Sequence, residues 1–223
     1  DREMRLRIEH LRASGIRDRN LADCRFETAT ETEELTKCRR YAEHWEEMYA
    51  QNNGLLLWGN TGNGKTYAAA CIANALIARG IPALITSFPR ILNAGWDKRE
   101  IAEQMRQYPL LVIDDLGAER GSDYALETVY MVIDERYKAR KPLIVTTNLT
   151  LEEICKPKSM DYQRIYDRIL EMCVPASDAA FSSASSCEKE LLSAACGGGT
   201  AGASSGSAAS DPEDCGGVQY QSD

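Results

Sequence analysis

An apolar run that breaks into a glycine-rich turn constrains this chain more than any other feature. Residues 55–66 read LLLWGNTGNGKT: four large apolar side chains, then three glycines, a lysine and a threonine. Gly59, Gly64, Lys65 and Thr66 satisfy G-x-x-x-x-G-K-[ST] directly after a strand signal and ahead of a helical one, the setting in which such a loop cradles phosphate. Glycines let the backbone turn tightly so that its N–H groups converge on phosphate oxygens, and the start of the following helix adds positive potential. Lys65 then reaches the β- and γ-phosphates, and Thr66 offers a hydroxyl to Mg²⁺. At ordinary residue usage a chance match in a chain of this length is on the order of one in a hundred. A turn that serves geometry alone is therefore the weaker reading.

Two further stretches supply what a phosphate loop lacks. LLVIDDLG (110–117) is an apolar strand running into Asp114 and Asp115. A carboxylate at a strand's carboxyl end beside the loop can hold Mg²⁺ through water, the role assigned to Asp114, and Asp115 is then placed to accept a proton from the attacking water. PLIVTTNLT (142–150) ends in Thr146, Thr147 and Asn148. Carboxyl ends of parallel strands face the ligand, so Asn148 is a candidate donor to the γ-phosphate or the lytic water. Asn148 and Thr150 also read as a helix start with Thr150 as N-cap, and both roles can coexist.

Around these motifs, strand patterns at 54–58, 82–87, 110–114 and 142–147 alternate with helical ones at about 65–79, 98–107 and 123–140. Short, continuously apolar strands separated by helices indicate an α/β fold with a parallel sheet covered on both faces. Leu35, Cys38, Ala42, Trp45 and Tyr49 recur at helical spacing within 31–49 and predict an amphipathic helix. The expected organisation is a remnant linker and helix over 1–50, a core over 51–174, and a low-complexity tail over 175–223. Of the 48 residues from Ala176 to Asp223, 28 are Ala, Ser or Gly, too few apolar groups to offset ordering entropy.

The tail's seven acidic residues against one lysine carry −6 of the net −8, so the core is close to neutral. That balance argues against a protein that coats nucleic acid indiscriminately. RYKARK (136–141) gathers Arg136, Lys138, Arg140 and Lys141 around Tyr137, a candidate contact to single-stranded DNA. A solvated basic helix end is the preferred reading there. The eight cysteines have no C-x-x-C spacing, which predicts reduced thiols, and no apolar run approaches a membrane span; the expectation is a cytoplasmic protein without a membrane partner. The chain starts at Asp1, which reads as a fragment lacking its natural amino end.

Read in order, GNTGNGKT, ACIANAL, SFPRIL, LLVIDDLGAER, KPLIVTTNLTLEE and RIYDRILEMC resemble the DnaC/DnaI-type helicase loaders and the related IstB-type ATPases of the AAA+ superfamily. The likeness spans about residues 21–174 and is greatest to DnaC-like proteins of phages and prophages. It implies an AAA+ P-loop NTPase with sheet order 5-1-4-3-2, four strands of which can be placed; with no family ending past Pro175, the fifth strand is read as one that can be lost. It implies ATP contacts along Gly59, Asn60, Thr61, Gly62, Asn63, Gly64, Lys65, Thr66 and Tyr67, Mg²⁺ at Thr66 and Asp114, a first sensor at Asn148, and an arginine finger at Arg168, supplied to a neighbouring subunit.

The implied activity is Mg²⁺-dependent ATP hydrolysis by a head-to-tail oligomer that helps place a DnaB-type replicative helicase on single-stranded DNA. Two alternatives stay open: an IstB-like helper of a transposase, and a nucleotide-binding module with little catalysis. Three departures bear on these. Asp115 stands where most AAA+ proteins carry glutamate, which suggests slow or regulated hydrolysis; the family's helicase-binding amino-terminal domain is missing or a stub; and past Pro175 no arginine segment supplies a second sensor.

Overall fold

Four continuously apolar runs become neighbouring parallel strands because each is flanked by helices that cover both sheet faces. The computed structural model describes residues 2–117, 123–157 and 159–176. The expected low-complexity tail, from residue 177 onward, lies outside the described residues. The strands are β1 (Gly54–Trp58), β2 (Ala83–Thr86), β3 (Leu110–Leu116), β4 (Leu143–Thr147) and β5 (Cys173–Pro175), in the order β2-β3-β4-β1-β5. All pairings are parallel.

This is the expected 5-1-4-3-2 order, and it corrects the reading in which the fifth strand is lost. β5 ends at Pro175, with Cys173, Val174 and Pro175 opposite Gly54, Leu55 and Leu56. Pro175 lies on an edge strand, where a missing N–H is tolerated.

One face of the sheet carries α1 (Arg2–Gly15), α2 (Arg19–Ala22), α3 (Glu33–Glu43), α4 (Trp45–Gln51) and α5 (Lys65–Ala78). The other carries α6 (Phe88–Leu92), α7 (Lys98–Gln107), α8 (Asp123–Ala139), α9 (Leu151–Cys155) and α10 (Met160–Met172). α5 is buried nearly all round, with nine residues out of solvent, because the sheet lies on one side and α1, α2 and α3 on the other. The helix expected over 31–49 divides at His44, whose ring nitrogen meets the Arg40 carbonyl at 2.9 Å. Apolar spacing alone does not register such a break, since Leu35, Cys38, Tyr41, Ala42 and Trp45 are buried on both sides of it.

Among the described residues no helix is long and apolar enough to cross a membrane. Cys24, Cys38, Cys71 and Cys173 are buried free thiols, and burial pushes Cys38 and Cys71 up to about 12.

Gly54 lies between β4 and β5, and a Cβ there would fall 2.0 Å from the Leu143 carbonyl oxygen and 3.0 Å from the Cys173 sulfur. The obstacle is backbone, so no rotamer change relieves it. Gly54→Ala is expected to cost about 3 kcal/mol, read by calorimetry as a melting temperature lower by roughly 6–12 °C.

Candidate functional site

The carboxyl ends of β1, β3 and β4 lie side by side, so the three polar endings singled out in sequence meet. The turn after β1 holds Gly59 at φ +133°, Gly62 at +91° and Gly64 at +77°, backbone that side chains disfavour. Nothing stands within 4 Å of a Cβ built on Gly62 or Gly64, so the loop surface is open to an approaching group. The first backbone bond of α5 runs from Ala68 N–H to the Gly64 carbonyl at 2.9 Å. The N–H groups ahead of it have no partner within the helix and carry its positive end. Lys65 donates from Nζ to the carbonyls of Gly59 and Asn60, both at 2.8 Å, and to Asn148 Oδ1 at 3.0 Å.

The strand expected over 110–114 runs on to Leu116 through a bulge. Ile113 faces Val145 but Leu116 faces Thr147, so β3 spends three residues where β4 spends two. Asp115 takes up the extra residue with φ +58°, in the left-handed region that aspartate tolerates better than most. Strict alternation would send Asp114 and Asp115 to opposite faces. The bulge instead brings both into one network. Thr66 Oγ1 and Thr146 Oγ1 each donate to Asp114 Oδ1 at 2.7 Å, and Asn148 Nδ2 donates to Asp115 Oδ1 at 2.9 Å. Lys65, Asn148, Asp115, Thr146, Asp114 and Thr66 thus form a single chain of contacts. Sequence reasoning missed Thr146 as a member, and the only signal for it was its place one turn of pleat before Asn148. Thr150 is also the N-cap of α9, in a capping box with Glu153, so both readings of the segment hold.

Thr66 and Asp114 present a hydroxyl and a carboxylate as neighbours, hard oxygen donors of the kind Mg²⁺ accepts alongside water and phosphate. The donor set therefore fits the ion. Beside the loop opens a cleft of about 640 Å³ lined by Thr28, Thr32, Leu35, Trp58, Asn63 and Tyr67 among others. Tyr67, expected to touch the ligand, donates to the Arg25 carbonyl at 2.9 Å and meets the Thr28 hydroxyl at 3.1 Å, tying residues 25–28 to the loop. The 26–32 wall carries no sequence motif and is held by tertiary contacts, from Tyr67 of α5 to Thr28 and from Arg39 of α3 to the Phe26 carbonyl and ring.

Arg168 lies on α10 away from this network. Its Nε is 3.0 Å from Asp134 Oδ1, and its guanidinium sits over the rings of Tyr130 (4.9 Å) and Tyr137 (5.8 Å) on α8.

At 136–141 the preferred reading, a solvated basic helix end, holds for the exposed Lys138, while Arg136 drops out of both that surface and the candidate contact to single-stranded DNA. Arg136 is fully buried and cannot touch nucleic acid, Lys138 pairs with Asp134 at 2.5 Å, and Lys141 donates to the Arg106 carbonyl at 2.6 Å.

Compared with known proteins, residues 1–175 match the family model described as IstB-like ATP binding protein. The replicative helicase loader DnaC of Escherichia coli (strain K12) is 28% identical over 168 residues, covering 70% of this chain and 66% of that protein. The chain thus spans slightly less than two thirds of that relative's length. Among solved structures, the crystal structure of the DnaI aligns at TM-score 0.61 and 26% identity, over 72% of this chain and 94% of that one. The crystal structure of the DnaC helicase loader aligns at TM-score 0.57 and 22% identity, over 71% and 98%. The fold is that of the AAA+ P-loop NTPases.

Proposed function

The chain belongs to the family of IstB-like ATP binding proteins, and from that premise we propose that it is a Mg²⁺-dependent ATPase that helps load a DnaB-type replicative helicase onto single-stranded DNA. The observation that carries the reading is the meeting of Lys65, Thr66, Asp114, Asp115 and Asn148 at three adjacent strand ends. The loop N–H groups and the start of α5 bind the phosphates, and Lys65 exchanges its carbonyl partners for β- and γ-phosphate oxygens. Thr66 and Asp114 would hold Mg²⁺, which when bound neutralises charge on the triphosphate. Asp115 accepts the proton of the attacking water, and Asn148, held between Lys65 and Asp115, orients that water. The cleft beside Tyr67 takes the nucleoside. The likeness to a helicase loader favours a helicase over a transposase as client.

Arg168 has its contacts on α8 rather than on its own phosphate loop, which suits a finger offered to a neighbouring copy in a head-to-tail assembly. Turnover per subunit is then expected to rise with protein concentration, and Arg168→Ala to lower it roughly 10³-fold or more. Mixing Arg168→Ala with Lys65→Ala should restore part of the activity, because one copy keeps an intact finger and the other an intact loop. Concentration-independent turnover together with an inactive mixture would exclude the shared site. Recovery of a DnaB-type helicase on a single-stranded circle, with and without ATP, tests the client.

A further inference from the structure

Thr146 carries no role in the mechanism above, yet its hydroxyl touches Asp114 and Asp115 at once. It sits on β4 opposite Leu57 of β1, 1% exposed. Its Oγ1 accepts the Asp115 N–H at 2.9 Å and donates to Asp114 Oδ1 at 2.7 Å. The direction is fixed by chemistry: a backbone N–H can only donate, so the hydroxyl proton is left for the carboxylate. Thr66 donates to the same Oδ1 at 2.7 Å. A hydroxyl that turns toward a cation gives up that bond, and Thr146 then remains as the donor holding the carboxylate's orientation. The same oxygen anchors Asp115 at the bulge, where its left-handed backbone needs support from its surroundings.

We infer that Thr146 is a positioning residue that aims Asp114 at the metal and fixes the bulge that presents Asp115. The inference rests on the ATP and Mg²⁺ reading and adds a residue to it. Groups that orient a metal ligand from behind characteristically change metal affinity or activity 10–100-fold on removal, which is a measurable margin.

The test compares the parent with Thr146→Val, which keeps the shape and loses the hydroxyl, and Thr146→Ser, which keeps the hydroxyl. Binding of a fluorescent ATP analogue is titrated with MgCl₂, with melting temperature recorded alongside. Thr146→Val is expected to raise the Mg²⁺ half-saturation roughly 10–100-fold, with Thr146→Ser within about threefold of the parent. Should the valine protein not fold, Thr146→Cys fills the same space with a weak donor and is expected to fall between the two. A half-saturation unchanged in the folded valine or cysteine variant, or a serine variant as impaired as valine, overturns the inference while leaving the ATP reading intact. A parent that binds no nucleotide with or without Mg²⁺ overturns both.

Discussion

Asp115→Asn is expected to lower ATP turnover roughly 10²–10⁴-fold, the span that a positioned general base contributes, while nucleotide binding and melting temperature stay near those of the parent. Asparagine tolerates the left-handed backbone at φ +58°, and its amide oxygen can still accept the 2.9 Å bond from Asn148 Nδ2. Only the capacity to take a proton is lost. Asp115→Ala serves as the contrast, since it also places an alanine in the left-handed region at a further cost of about 1–2 kcal/mol. Phosphate release at saturating ATP, measured beside analogue binding, checks this. Turnover within tenfold of the parent, an interval of about 1.4 kcal/mol in barrier height, would remove Asp115 from the proton-accepting role.

Arg136→Met is expected to be the most destabilising of these substitutions. Arg136 is among the largest fully buried side chains of the described residues, and its guanidinium reaches four carbonyls. Nη1 donates to Met105 at 3.0 Å and Tyr108 at 2.8 Å, and Nη2 to Pro109 at 3.0 Å and to Pro142. These carbonyls belong to the last turn of α7 and to the connections entering β3 and β4, at the end of the sheet opposite the phosphate loop. Burial draws the arginine's pKa down from its ordinary value to about 10, which leaves it cationic at neutral pH. Because that folded value lies below the unfolded one, deprotonation would add stability only as pH rises between the two, so no dependence on this group is expected around pH 7.

Methionine fills the volume but leaves the carbonyls without donors. Removing one side of such a buried charged network costs about 3–5 kcal/mol, a large part of the roughly 5–15 kcal/mol that holds a domain folded. The melting temperature should fall by roughly 6–20 °C. Arg136→Lys keeps the charge and loses the planar fork, so it should recover only part of the loss. A methionine variant melting with the parent would show that the four carbonyls are satisfied another way.

Much of the architecture was legible because its causes are local. A continuously apolar run of four to seven residues has few alternatives to a strand covered on both faces, and the runs at 54–58 and 143–147 form within a residue of where alternation with helices predicts them. The glycine spacing after β1 specifies its own backbone, since no other residue adopts those φ values freely. Thr150 caps α9 because its hydroxyl and the Glu153 carboxylate need only each other's main chain.

The rest was not legible because it depends on register and on distant packing. Nothing in LLVIDDLG announces a bulge. That irregularity arises where β3 must pair with β4, and it alone brings both aspartates into one network. RYKARK looks like a basic surface on composition. Arg136 is nonetheless drawn inward because α8 crosses the sheet end where four carbonyls lack donors, a circumstance that involves residues up to 31 positions away. β5, at three residues, is too short to carry a periodicity of its own and exists by pairing with β1. By itself the sequence determined the four longer strands, the phosphate loop and the kinds of residue at the site, since sterics and spacing act between near neighbours. Only the tertiary structure decided which carboxylate faces which partner and which arginine is buried, since those outcomes follow from cross-strand register and desolvation.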